Sequence, residues 1–267
     1  MNSVMVNDVG VASQIELRDC IAEVHASNDS AMTQWVYDVM LISKLSTSLM
    51  RGEHDVTVGQ MLVASMVSST ENYYRTLFAD LVHTCPWTAR NVGNEPISFA
   101  AVQTFGTGKA GFGLVEGKLF SSRGVIAKEI KRFTRYQVQT TSTLGKAIAA
   151  FDSVCAIRHA AVHWSGRFDT RAHESLSVDI HRRGQHGLNL DIKSIQDGLA
   201  ACDFLVRTSN QVLFDHTLNR WLNEGYLGSD ALERENRDRA RSLSTIFAER
   251  RLKSSVTKKI IDTAAVE

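Results

Sequence analysis

Three side chains near the middle of the chain are of the types that grip phosphate and move protons. They are Arg158, His159 and His163, within the stretch Phe151–Gly166, FDSVCAIRHAAVHWSG. An imidazole titrates near neutral pH and can serve as acid or base. A guanidinium stays charged and presents a planar fork of donors that fits two phosphate oxygens at once. Together they suit phosphoryl-transfer chemistry, one group holding the phosphate while the other handles the proton.

These residues need a helix to position them, and the spacing supplies one. At about 100° per residue the stretch sorts into two stripes. Leu144, Ile148, Phe151, Val154, Cys155 and Val162 form an apolar stripe with Arg158 in its midst. Asp152, His159 and His163 form a polar one, and Trp164-Ser165-Gly166 ends the helix with glycine at a C-terminal cap. An arginine on an apolar face is costly unless it meets an anion, a carboxylate or a partner subunit.

Other readings of the same residues stay open. Glu71 or Asp152 could pair with Arg158 structurally, and Glu71 could equally position it. His159 and His163, four apart, could share a metal ion with Asp152 as a third ligand. A zinc protease would need HExxH, however, and Ala160 stands where its glutamate would be. An HxxxH pair on a helix is also often just a solvated polar face.

The totals narrow the classes. With 267 residues and 43% hydrophobic content the chain can build a sizeable core. Thirty basic against twenty-nine acidic residues give a formal charge of +1, which excludes indiscriminate nucleic-acid binding by the whole surface. The four cysteines, Cys20, Cys85, Cys155 and Cys202, form no CxxC pair and predict neither a disulfide frame nor a cysteine zinc site. Neither a secretory leader nor an apolar run of about 18 residues is evident. The expectation is a cytoplasmic protein that uses no membrane, cofactor or metal.

Only two prolines, Pro86 and Pro96, interrupt the chain, so long helices are expected. An N-terminal helical pair is predicted over 1–55: Ser13–Ala26, then a helix capped by Asp29 or Ser30. A strong helix from Thr57 to Cys85-Pro86 follows, carrying Glu71 and Arg75 as an exposed pair. Trp87–Asn94 reads as a loop. The glycines Gly106, Gly108, Gly111, Gly113 and Gly117 read as bends rather than a phosphate loop, because no GxxxxGK[ST] frame is present. Ile126–Tyr136 is a helix with a basic face of Lys128, Lys131, Arg132 and Arg135, read as a solvated face that could contact RNA.

Leu176–His181 and Leu188–Ile192 alternate on either side of two glycines, a small β-hairpin pattern. His173, His181 and His186 around it read as surface residues, and Arg182-Arg183 as a small basic patch. Ser194 then caps a helix that stops at Gly225 or Gly228. Residues 227–267 form a charged helical tail with pairs such as Glu233/Arg237 and Glu235/Arg239. Its thin apolar stripe is Leu243, Ile246, Phe247 and Leu252, and its last dozen residues are expected to fray.

Arg158-His159-Ala160-Ala161-Val162-His163, followed by Gly166, resembles the R-polar-x-x-x-H signature of HEPN domains. These are helical domains of many prokaryotic toxins, antiviral systems and RNA-processing enzymes. The helix with SSTENYYRTLFADLV and the hairpin followed by a long helix are also similar, so the resemblance covers about Thr57–Leu222. It implies a mainly α, antiparallel HEPN-like bundle over 56–226 and a metal-independent endoribonuclease. In such enzymes the RNA 2′-hydroxyl attacks its own phosphate, leaving a cyclic phosphate and a 5′-hydroxyl.

By the same resemblance His163 is the general acid or base, Arg158 stabilises the phosphorane, and His159 orients the phosphate. The family mostly has Asn or Asp where this chain has His159, which leaves that role the least defined. A homodimer through the Arg158/His163 helix is expected, with RNA as substrate. A toxin or antiviral role, restrained by an antitoxin or regulatory protein, comes from the resemblance alone. Some HEPN-like domains bind nucleotides, RNA or proteins without cutting, and that alternative stands beside the nuclease and the histidine-liganded metal enzyme.

Overall fold

The computed structural model describes residues 29–49, 56–121, 124–170, 187–228 and 233–265. Among them the chain forms ten α-helices and no strand: α1 (Ala31–Leu49), α2 (Val56–Thr84), α3 (Pro86–Val92), α4 (Phe99–Phe105), α5 (Gly111–Val115), α6 (Val125–Thr134), α7 (Thr143–His163), α8 (Ile192–Asn223), α9 (Glu233–Phe247) and α10 (Lys253–Ala264). The protein is mainly α, as its scarcity of proline and its helical periodicities predict. No helix among the described residues is long and apolar enough to cross a membrane.

Four long helices carry the core. α2 and α8 lie side by side and run parallel: Tyr74 meets Ser209 (2.5 Å between hydroxyls), and one helical stretch further on Trp221 Nε1 donates to Cys85 Sγ at 3.4 Å. α1 and α7 run against them, each packed on both α2 and α8. α2 is central because its wide buried face takes in thirteen residues from Gly59 to Leu81, leaving only a narrow exposed stripe through Met61, Ser65, Ser68 and Asn72. Phe78 stacks on Phe133 at 4.6 Å between ring centroids and on Phe120 at 6.0 Å. Truncating such a ring to alanine costs about 3–5 kcal/mol.

The two ends of the described chain meet. Ser30 caps α1 by accepting from Thr33 N–H (3.0 Å), and its own hydroxyl donates to Ala248 O (2.7 Å) at the end of α9. Trp35 Nε1 donates to Asp203 on α8 at 2.9 Å. The apolar stripe of the charged tail is used in this docking: Leu243, Ile246 and Phe247 are buried, while Leu252 stays exposed. The final residues do not fray as expected, for α10 is helical and buries Ile260 and Ala264. The first predicted helix, Ser13–Ala26, lies outside the described residues.

Several local expectations are corrected. Residues 86–92 are a helix rather than a loop, because Pro86 sits at the first helical position, where a missing N–H leaves nothing unsatisfied. Asp191, not Ser194, caps α8, accepting from Ser194 N–H at 2.7 Å. The second arm of the expected hairpin, Leu188–Ile192, is no strand, since Ile192 already opens α8. Its first arm, with His173, His181, His186, Arg182 and Arg183, lies outside the described residues.

Glu71 and Arg75 are not a free surface pair. Glu71 is largely buried, accepting from Arg75 (3.2 Å) and from Ser121 N–H (2.9 Å), while Arg75 also donates to Lys118 O (2.9 Å). The pair fastens residues 118–121 to α2 and so drives Phe120 into the aromatic cluster. The glycines before it serve close packing: a Cβ on Gly111 would sit 2.7 Å from Ala79 O, and one on Gly113 2.6 Å from the Ile97 side chain. They let α5 press on α2 and α4, a use that sets aside the phosphate-loop reading.

Candidate functional site

α7 begins at Ser142, whose hydroxyl accepts from Gly145 N–H (3.1 Å). It then buries Leu144, Ala147, Ile148, Phe151, Val154 and Cys155 against α2 and α8. The predicted apolar stripe is therefore core as far as Cys155. Beyond that point only the small side chains Ala160 and Ala161 stay fully buried, while Val162 is half exposed.

The helix end is tightly organised. Trp164 and Gly166 both donate their N–H to Ala160 O, at 3.1 and 2.9 Å, and Arg167 N–H donates to Trp164 O at 3.0 Å. Ser165 and Gly166 both take positive φ, 51° and 84°, which reverses the chain. Gly166 is favoured by its left-handed backbone, and it lies close against α2: a Cβ there would lie 2.6 Å from Gln60 Nε2, which would have to swing aside. Leu188 N–H donates to Gly166 O at 2.7 Å, and Arg167 bridges to Gly187. The end of α7 is thus clamped to the starts of α2 and α8.

On this clamped end the two imidazoles come together. The His159 and His163 rings are 4.7 Å apart, tilted by 46°, on the outward side of α7. His159 Nε2 lies 3.8 Å from Asp169 Oδ2. Asp169 is the residue that sequence reasoning missed. It follows the Ser165–Gly166 reversal, which brings it back alongside the helix, and an acid just past a glycine-terminated helix was the available signal.

Arg158 is half buried, and its Nε is fully buried without a hydrogen-bond partner. No ion pair with Glu71 forms, because both Glu71 oxygens are turned to Arg75 and Ser121. Beneath Arg158 the Cys155 thiol is pushed far up, chiefly by burial and then by the nearby Cys202, Asp152 and Glu71, with Arg158 opposing them. The guanidinium therefore borders the core near the C-terminal end of α7, an unusual place for a fixed charge.

α7 stays α-helical through His163, so Arg158 and His163 leave its axis about 140° apart. The helical backbone ends only at Trp164. One chain brings His159 and His163 into contact, and no hydrogen bond joins Arg158 to either ring among the described residues. There is also no group of three His, Cys, Asp or Glu side chains able to hold a metal ion among them.

The basic face of α6 is only partly available. Lys128, Lys131 and Arg135 are exposed, but Arg132 is engaged by Glu95 and Glu129 and lies 4.7 Å over the Phe133 ring. Comparison of the chain with family models, with curated proteins and with solved structures finds no match.

Proposed function

We propose that the protein is a metal-independent endoribonuclease of HEPN type that works as a homodimer through α7. The carrying observation is the buried, unpartnered Nε of Arg158 one residue from a pair of touching imidazoles. A guanidinium atom without a partner costs stability, and a phosphate oxyanion is the ligand that relieves it. Support for a second protomer comes from the helix geometry, because a facing copy of α7 brings one chain's His163 to the other's Arg158.

In the proposed reaction one imidazole takes the 2′-hydroxyl proton as the oxygen attacks the adjacent phosphorus. The P–O5′ bond breaks, a protonated imidazole supplies the leaving oxygen's proton, and a 2′,3′-cyclic phosphate and a 5′-hydroxyl remain. His163 holds the acid–base role, Arg158 neutralises the phosphorane, and His159 orients the phosphate. The biological setting we propose is a toxin or anti-phage effector held in check by a partner protein.

Purified protein incubated with RNA in EDTA tests the reading. Cleavage that persists with chelator, leaves cyclic-phosphate ends and disappears in His163→Ala supports it. Loss of cleavage on chelation indicates a metal enzyme, and binding without cleavage a non-catalytic module. Mixing inactive Arg158→Ala and His163→Ala chains should recover activity that neither has alone, since the mixed dimer keeps one Arg158–His163 pair across the interface.

A further inference from the structure

We infer that Trp164 is a stacking platform for an unpaired nucleobase next to the scissile phosphate, and that it restricts the substrate to single-stranded RNA. The inference rests on the ribonuclease reading for its site and adds to it a determinant of substrate class.

The protein has four tryptophans, and three are used structurally. Trp35 and Trp221 are buried and donate to Asp203 and Cys85, respectively. Trp87 meets the Tyr226 ring edge-on at 5.6 Å, with Arg220 over its other side. Trp164 differs, with 50% of its surface in solvent and no aromatic neighbour among the described residues. Leaving that much indole in water forgoes the hydrophobic gain of burial.

Its backbone is nevertheless fixed on both sides. The N–H is held by Ala160 O and the carbonyl by Arg167 N–H, and the following Ser165 adopts φ 51°, uncommon outside glycine. A non-glycine residue held there by its surroundings is a mark of sites where position matters. The turn therefore presents the indole from a rigid base.

The neighbourhood defines the ligand. Trp164 directly follows the acid–base histidine in the chain, at the C-terminal cap of the helix that carries it. Arg167, exposed and joined through its N–H to the Trp164 carbonyl, adds a positive charge to the same turn. An aromatic face flanked by cations and imidazoles matches a nucleobase flanked by its phosphates. Stacking needs a base whose face is free, which a duplex does not offer.

The test uses a single-stranded RNA with a 2′-deoxy residue at the cleavage position, which removes the nucleophile and leaves binding intact. Titration should quench tryptophan fluorescence in the wild type, and Trp164→Phe should remove most of that quench. Trp164→Ala should weaken binding about 10- to 100-fold, and Trp164→Phe much less. Replacing the base beside the scissile phosphate with an abasic residue should weaken wild-type binding but add nothing in Trp164→Ala. The matching duplex should bind poorly to both.

Equal binding by wild type and Trp164→Ala, with both folded by circular dichroism, overturns the inference. So does conversion of a dimer to a monomer by Trp164→Ala, which assigns the ring to a protein interface. If the all-RNA version is cleaved without dependence on Trp164, the platform falls and the nuclease stands. If the quench appears but no RNA is cut, the platform stands and the nuclease falls.

Discussion

His159 and His163 meet ring to ring, 4.7 Å between centroids, and Asp169 stands 3.8 Å from the outer nitrogen of His159. The three form a graded series, from an acid behind one imidazole to a second imidazole in solvent. Single-turnover cleavage should fall about 10²- to 10⁴-fold in His163→Ala, the usual worth of a positioned acid–base group. His159→Ala should cost about ten-fold or less, as for a group that only orients the phosphate. Asp169→Asn should act through His159, so its effect should vanish in an His159→Ala background.

Arg158 gives the sharpest separation between function and structure. Arg158→Met keeps the apolar stem and deletes the buried, unpartnered Nε. The variant should therefore be about 1 kcal/mol more stable than wild type, and inactive. For a chain of this size that is a rise of about 2 °C in Tm. A clear loss of stability would mean that the guanidinium is a structural element instead.

Asp80 on α2 makes stability fall as pH rises. Burial lifts its carboxyl from 3.8 to about 6, while Lys109 and Lys253 pull the other way. Because the folded value exceeds the unfolded one, the native state binds more protons between the two. Its contribution is complete below about 4 and is lost as pH climbs through about 6. Asp80→Asn should stabilise the protein by about 1–3 kcal/mol at pH 7.5 and change it little at pH 4. Thermal unfolding of both proteins across that range reads the difference directly, with other groups cancelling.

The glycine-rich segment should respond by packing rather than by ligand binding. Gly111→Ala drives a methyl into the Ala79 carbonyl, a backbone atom that cannot step aside, and should cost about 1–3 kcal/mol. At Gly108 an added methyl would meet nothing within 4 Å, so Gly108→Ala should be near neutral in denaturant unfolding. Equal sensitivity of the two positions would contradict the packing role.

Much of the architecture is legible in the residues themselves. Period-3.6 spacing with two prolines dictates long helices, and Leu144 to Cys155 marks the buried face of α7 because burial repeats with helical turns. Gly166 announces the helix end, since few other residues accept its backbone. The pairing of His159 with His163 also follows from a spacing of four. Local rules fail where a residue's partner is distant in sequence. Glu71 and Arg75 read as an exposed pair until residues 118–121 fold over them. Leu188–Ile192 alternates like a strand, yet Asp191 caps a helix in its midst. Asp169 reaches His159 only through the reversal at Ser165, and the half-buried place of Arg158 is set by the packing of α7 on α2 and α8. Sequence periodicity decides which face of a helix is apolar; which groups that face finally meets depends on the packing of segments far apart along the chain.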